Sequence, residues 1–246
     1  MKRGILCILI CAAGLAVTSV FVTASGATLR QSPQRALTIN PTDFVAKIDN
    51  PFLPLKPGTT FIYTSGKGGR AERDEVNVTH DTKQLLGVVC TVVRDRSWSN
   101  GDLTEDTLDW YAQDRAGNVW CLGEDSKSYK NGVVVSTEGS WQAGVKGARA
   151  GVIMEAHPRV GDSYRQELAP RVAEDTADVV SLSKSARVPY GSYDHLLMTK
   201  EWSPLEPGTA EYKYYARRIG FILAVSGKGG SQRSELSEIR TESRAR

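Results

Sequence analysis

The stretch GVVCTVVRDRSWSNGDLTEDTLDWYA, residues 87–112, sets the fold class. At its centre Asn100-Gly101 offers two residues that tolerate positive φ, which a type I′ hairpin turn needs at both middle positions. Beyond the turn Leu108, Trp110 and Ala112 interleave with Thr107 and Asp109. That period of two belongs to an antiparallel strand with unlike faces. The stretch therefore reads as a hairpin.

The same signals recur in both directions. Asn131-Gly132 is a second hairpin turn of the same kind, and Gly66–Gly69 and Gly227–Gly230 read as hairpin tips. Between the turns lie strand candidates at Thr60–Tyr63, Glu75–Thr79, Gly87–Arg94, Thr104–Ala112, Asn118–Leu122 and Val133–Thr137. Ser163–Glu167, Thr176–Leu182, Leu196–Trp202, Tyr212–Tyr215 and Phe221–Val225 continue the series. Such spacing predicts a mainly β protein, an antiparallel barrel or strongly curved sheet. One short N-terminal helix is expected near Pro41–Ile48, with Asn40 as its cap, Pro41 in its first position and Asp43 in its first turn. Gly139–Pro158, rich in Gly and Ala, reads as a long central loop. Pro54–Thr59 is echoed by Pro204–Thr209, and Ser65–Gly69 by Ser226–Gly230; an old duplication would leave such echoes, and repeated turn chemistry is the simpler explanation.

The N-terminus predicts the compartment. Lys2 and Arg3 precede an uncharged apolar run, Gly4–Val22, and small residues end at Ser25-Gly26-Ala27. This is the layout of a secretory signal peptide over residues 1–27, cleaved near Ala27. A retained anchor is the competing reading, because the run approaches the roughly 20 residues that span a bilayer. No other stretch is apolar enough to do so. The organisation expected is residues 28–50 as an N-terminal segment with the short helix, 51–230 as a single β domain, and 231–246 as a polar C-terminal tail. The chain has 246 residues and a formal charge of +3, and losing Lys2 and Arg3 with the first 27 residues leaves 219 and +1. So small a charge gives no reason to expect a nucleic-acid partner.

Cleavage would also remove Cys7 and Cys11, leaving Cys90 and Cys121 as a candidate disulfide in an oxidising compartment. Register weighs against the bond. A two-residue turn at Asn100-Gly101 sets Cys90 opposite Tyr111 and Arg96 opposite Glu105, and a turn at Arg115-Ala116 sets Cys121 opposite Trp110. The two cysteines would then flank one strand at about 9.5 Å, on opposite faces. A disulfide needs Cα atoms within roughly 7 Å. A register slip, bulge or sharp coil is what could bring them together.

Several phrases occur together: Asn50-Pro51-Phe52-Leu53-Pro54-Leu55-Lys56-Pro57-Gly58-Thr59, Asp109-Trp110-Tyr111-Ala112-Gln113-Asp114, Gly117-Asn118-Val119-Trp120 and Lys213-Tyr214-Tyr215-Ala216. In these, and in Glu138-Gly139-Ser140-Trp141 and Val160-Gly161-Asp162, the chain resembles a family of exported bacterial β-rich proteins of unknown function. Arg217-Arg218-Ile219-Gly220 stands where proteins of similar layout more often have Pro-Gly-Val-Gly. The resemblance implies export and a β-rich fold, and no chemistry.

Chemical motifs are sparse. There is no Gly-x-Ser-x-Gly, His-Glu-x-x-His, Cys-x-x-Cys or Walker loop, so no metal, cofactor or catalytic residue is assigned. His80, His157 and His195 are far apart in sequence and read as isolated surface residues, although Glu155 and His157 could offer two metal ligands. Glu105 and Asp109 would share a solvated polar face with nearby acids, leaving Leu108, Trp110 and Ala112 for the other face. Trp110, Trp120, Trp141 and Tyr214 are the candidate ligand-binding residues, lining a cavity or else filling the core. The predicted function is an exported, periplasmic or extracellular binding or envelope-associated protein without catalysis, its ligand a small apolar or glycan-like molecule. Two alternatives stand beside it: a hydrolase using carboxylates near Asp106 and Asp109, and a structural or interaction module without a cavity.

Overall fold

The computed structural model describes residues 39–67, 70–227 and 230–242, so the signal sequence read at residues 1–27 lies outside the described residues. Sixteen strands form one strongly curved antiparallel sheet. They are β1 (Phe44–Val45), β2 (Thr59–Lys67), β3 (Arg70–Leu85), β4 (Val88–Ser99), β5 (Asp102–Asp114), β6 (Val119–Lys130), β7 (Val133–Ser136) and β8 (Trp141–Gln142). Then come β9 (Arg149–Met154), β10 (Ser163–Arg165), β11 (Glu167–Leu168), β12 (Thr176–Val188), β13 (Gly191–Trp202), β14 (Ala210–Ala216), β15 (Gly220–Ser226) and β16 (Gln232–Thr241).

The sheet runs β10-β12-β13-β14-β15-β16-β2-β3-β4-β5-β6-β9-β11, with β1 beside β5 and β7 and β8 beside β6. Its two ends belong to one short stretch of chain. Ser163–Arg165 pairs with β12 while Glu167–Leu168 pairs with β9, so residues 163–168 nearly close the sheet into a barrel. Gly151 on β9 permits this approach, because a Cβ there would stand 2.3 Å from the Gln166 carbonyl oxygen. No helix among the described residues is long and apolar enough to cross a membrane.

The expected short helix does not form. Asn40 caps a single 3-10 turn, Pro41–Asp43, by accepting from Thr42 N–H, and the chain then becomes β1. Phe44 and Val45 gain more by pairing with Asp114 and Gln113 of β5 than a lone turn of helix supplies. The long loop Gly139–Pro158 contains β8 and β9. Residues 232–241, set apart as a polar tail, are β16, pairing with both β15 and β2. Ser234 and Leu236 face inward there between charged neighbours, and that alternation makes the strand.

The hairpin turns hold. Asn100 and Gly101 have φ of 52° and 91°, and Asn131 and Gly132 have 53° and 75°. Register beyond them shifts by one. A bulge between Ser97 and Trp98 sets Thr91, not Cys90, opposite Tyr111, and Arg96 opposite Asp106 rather than Glu105. The β5–β6 connection has three residues, Arg115-Ala116-Gly117, so Cys121 faces Tyr111 rather than Trp110. The predicted Arg96–Glu105 pairing is thereby replaced: Arg94 grips both Asp106 oxygens at 2.9 and 2.7 Å, and Arg96 reaches Glu75 at 3.0 Å.

Two layers are buried. Within the barrel, Phe61, Val78, Val93, Leu197, Tyr215, Ile222 and Leu236 fill the end where β2 begins. The Asn50 motif plugs that end, with Phe52, Leu53 and Leu55 buried and Arg218 N–H donating to Pro51 O at 2.7 Å. Towards the glycine tips the inward face turns polar, through Asp74, Glu105, Thr107, Asp109, Glu124 and Glu201. The second layer lies outside the barrel wall, where β1 and the chain around β8 pack on Trp120 and Trp110.

Candidate functional site

Trp110 and Trp120, two of the tryptophans named by the sequence, lie on the outer layer. Gly123 lets Trp110 and Trp141 approach, since a Cβ there would lie 2.4 Å from Trp141 O and 3.0 Å from Trp110 Cε3. Lys83 Nζ sits 3.5 Å from the Trp110 ring centre, and Trp120 makes an edge contact with Phe44 at 6.1 Å while donating to Asp114 Oδ2 at 2.9 Å. All three rings are buried in contacts with the chain itself. Tyr214 is elsewhere, on the outward face of β14 opposite Met198 and Leu223. The structure thus sets Trp110 and Trp120 on one outward face, whereas the register places Trp141 opposite Glu124.

Asp106 and Asp109 point to opposite faces of β5. Asp106 is outward with Arg94, and Asp109 inward opposite Val93 and Glu124. They cannot flank one substrate bond. Cys90 and Cys121 are free, buried thiols with β5 between their strands. Burial pushes the Cys90 thiol up to about 12 and holds Cys121 well above its ordinary range.

The polar lumen is acid-rich. Among the described residues eight Asp and Glu are buried but a single base is, Lys213, which lies 2.7 Å from Glu201 Oε2 and 3.9 Å from Glu211 Oε2. Thr199 and the Tyr215 hydroxyl both donate to Glu201 Oε1 at 2.9 Å. Burial first, and like charge second, raises the other carboxyls: Asp74 and Asp109 to about 7, and Glu211 to about 8. Asp74 contributes to the rise of Glu211 although three strands separate β3 from β14, so these groups face each other across the lumen. No group of three or more His, Cys, Asp or Glu among the described residues is arranged to hold a metal ion.

The open concavity is at the plugged end. A cleft of about 600 Å³ lies between the Asn50 motif, the β5–β6 turn, residues 156–159 and the β12–β13 arm. Asn50 builds it. Its side chain is buried, donates to Gly117 O at 2.8 Å and Glu155 O at 3.0 Å, and accepts from Phe52 N–H at 2.8 Å. Gln113 completes the frame by accepting from the Asp49 and Asn50 N–H groups and donating to Asp49 Oδ1 at 2.8 Å. Around this frame stand His157, Arg159, His195 and Arg217, with Phe52 buried beneath Arg217.

Local backbone aims two of these side chains. His195 has a φ of 53°, unusual for a residue with a Cβ, at a register break between Lys184 and Ala186. Arg217 lies over Phe52 with Cζ 4.6 Å from the ring centre, a cation–π contact that steadies the guanidinium. Beside the cleft, burial and then the charge of Asp162 push Glu155 up to about 7. Sequence reading missed this site because its residues come from six separated segments. His157 and His195, isolated in sequence, line the same cleft, whereas His80 pairs with Glu242 at 2.9 Å elsewhere.

No protein-family model and no curated protein matches the sequence. Two solved structures are similar in shape: a candidate exported protein of YmcC-like fold from Bacteroides fragilis and a candidate lipoprotein from Parabacteroides distasonis. Each is 12% identical over 77% of this chain, with a TM-score of 0.40, and the matches cover 99% and 98% of those chains respectively.

Proposed function

We propose that this is an exported, non-catalytic binding protein that holds a small, glycan-like molecule in the cleft at the plugged end of the barrel. Export is supported by the basic, apolar and small-residue layout of residues 1–27. The observation that carries ligand binding is the cleft itself. Its volume of about 600 Å³ lies within the roughly 300–1,000 Å³ of small-molecule sites, and a few polar groups converge on it. Asp106 and Asp109 lie on opposite faces of β5, so those two do not serve together as the acid and base of the hydrolase alternative.

The test is native mass spectrometry of the protein exported from its own host, followed by NMR shift mapping with a panel of neutral and charged sugars. The expected result is a bound small molecule, with perturbations clustered at Phe52, Gly117, His157 and His195. Perturbations confined to the Trp110 and Trp120 layer, or none across the panel, would end this reading.

A further inference from the structure

Building on the cleft as the binding site, we infer that its ligand carries an oxyanion, a carboxylate or a phosphate ester on a sugar-sized body, gripped by Arg159 and Arg217. The lining is lopsided in charge. Arg159 and Arg217 contribute two fixed positive charges and His157 and His195 two further nitrogen-bearing rings, against one carboxylate, Asp49. That carboxylate is already engaged, because Asp49 Oδ1 accepts from Gln113 Nε2 at 2.8 Å.

Arginine suits this task better than any other side chain. Its planar fork matches the two oxygens of a carboxylate or phosphate, and it keeps its charge throughout the physiological range. In Arg217 the guanidinium lies over the buried Phe52 ring, with Cζ 4.6 Å from its centre, and this contact holds the charge at the rim of the cleft. Two further acids stand beside the cleft: Asp162 accepts from Arg159 N–H at 2.7 Å, and Glu155, raised to about 7 by burial and by the charge of Asp162, carries only part of a negative charge at neutral pH.

The positions in the chain support a built site. His195 is presented by a bulge with left-handed backbone, and irregular backbone of that kind is found where a side chain must be aimed. Arg217 follows the Tyr214-Tyr215-Ala216 phrase directly, where the neighbouring Arg218 N–H is tied to Pro51 O. The Arg217 side of the cleft is therefore fixed to the plug.

Isothermal titration with D-glucuronate, glucose 6-phosphate and glucose tests the inference. At least one anionic probe should bind at least tenfold more tightly than glucose, and which anion binds better identifies the chemistry. Arg159→Ala and Arg217→Ala should each weaken it about tenfold or more, as loss of a charge-assisted hydrogen bond does. Arg217→Lys should fall between, keeping the charge and losing the fork. Raising NaCl from 50 to 500 mM should weaken binding severalfold. Equal binding of glucose, or unchanged anion binding in both alanine variants, overturns the inference. A neutral sugar mapped to the cleft would overturn the oxyanion alone and leave the binding reading standing, whereas no ligand at the cleft overturns both.

Discussion

The inward face of β5 carries Glu105, Thr107 and Asp109, while its outward face carries Trp110 and Ala112, and both faces are buried. Asp109 is 3% exposed and Trp110, the next residue, 6%. The two faces solve different problems. Inside, polar groups withdrawn from water rely on Thr107, Ser126, Lys213 and retained protons. Outside, an apolar surface that a bare barrel would leave wet is covered by β1 and the chain around β8. One layer is sensitive to protons and the other to volume.

The largest effect should come from emptying the outer layer. Trp110→Ala should destabilise by about 3–5 kcal/mol through lost burial and the cavity left behind. Urea unfolding should show that loss with little change between pH 5 and pH 8. A cost below about 1 kcal/mol would mean that the outer covering is not a second core.

Lys213→Met removes the buried ammonium 2.7 Å from Glu201 and leaves an uncompensated carboxylate in the lumen. Breaking such a pair costs on the order of 3 kcal/mol. The cost should be full at pH 8 and smaller at pH 5, where protons can replace the lost charge. An equal loss at both values would show that packing, not charge, is what Lys213 supplies.

The proton-sensitive layer gives a signed pH dependence. Asp74 and Asp109 rise from 3.8 to about 7 and Glu211 from 4.5 to about 8, so the folded state binds protons more tightly than the unfolded chain. Their contribution is complete below about pH 4 and is lost as the pH rises towards 7 and 8. Denaturant midpoints should therefore decline from pH 5 to pH 8.5. Asp109→Asn, close in shape and always neutral, should cost less than about 1 kcal/mol at pH 5 and should flatten the decline. An unchanged slope in that variant would remove Asp109 from the account.

The smallest effect is on reactivity. Cys90 and Cys121 are buried free thiols, so alkylation should be negligible in the folded protein and complete at both positions after denaturation without reductant. Neither reacting after denaturation would reveal a disulfide across β5.

Much of the fold was legible because hairpin turns are local. Asn100-Gly101 and Asn131-Gly132 adopt the positive φ values that their residue types favour. Pro57-Gly58 and Pro207-Gly208 repeat one turn, with Thr59 N–H returning to Lys56 O and Thr209 N–H to Glu206 O, both at 3.2 Å. The bulge at Ser97 carries no comparable signal, and it moved Arg96 from Glu105 to Asp106. The cleft was least legible, since Asn50, Gly117, His157, His195 and Arg217 converge only when the plug docks on the barrel end. Asn50 alone could have hinted at it, as an amide at the head of a Pro-rich phrase.

What the sequence determined by itself is where the strands lie, where the chain turns, and that Asp109 and Trp110 face opposite ways. These follow from backbone sterics and from the period of two, which act within a few residues. Only the tertiary structure decided which face of β5 lines the lumen. Alternation is unchanged when the two faces are exchanged, so polarity alone cannot fix its sign. Closure of the sheet, and segments brought from elsewhere in the chain to cover the tryptophans, placed the carboxyls inside.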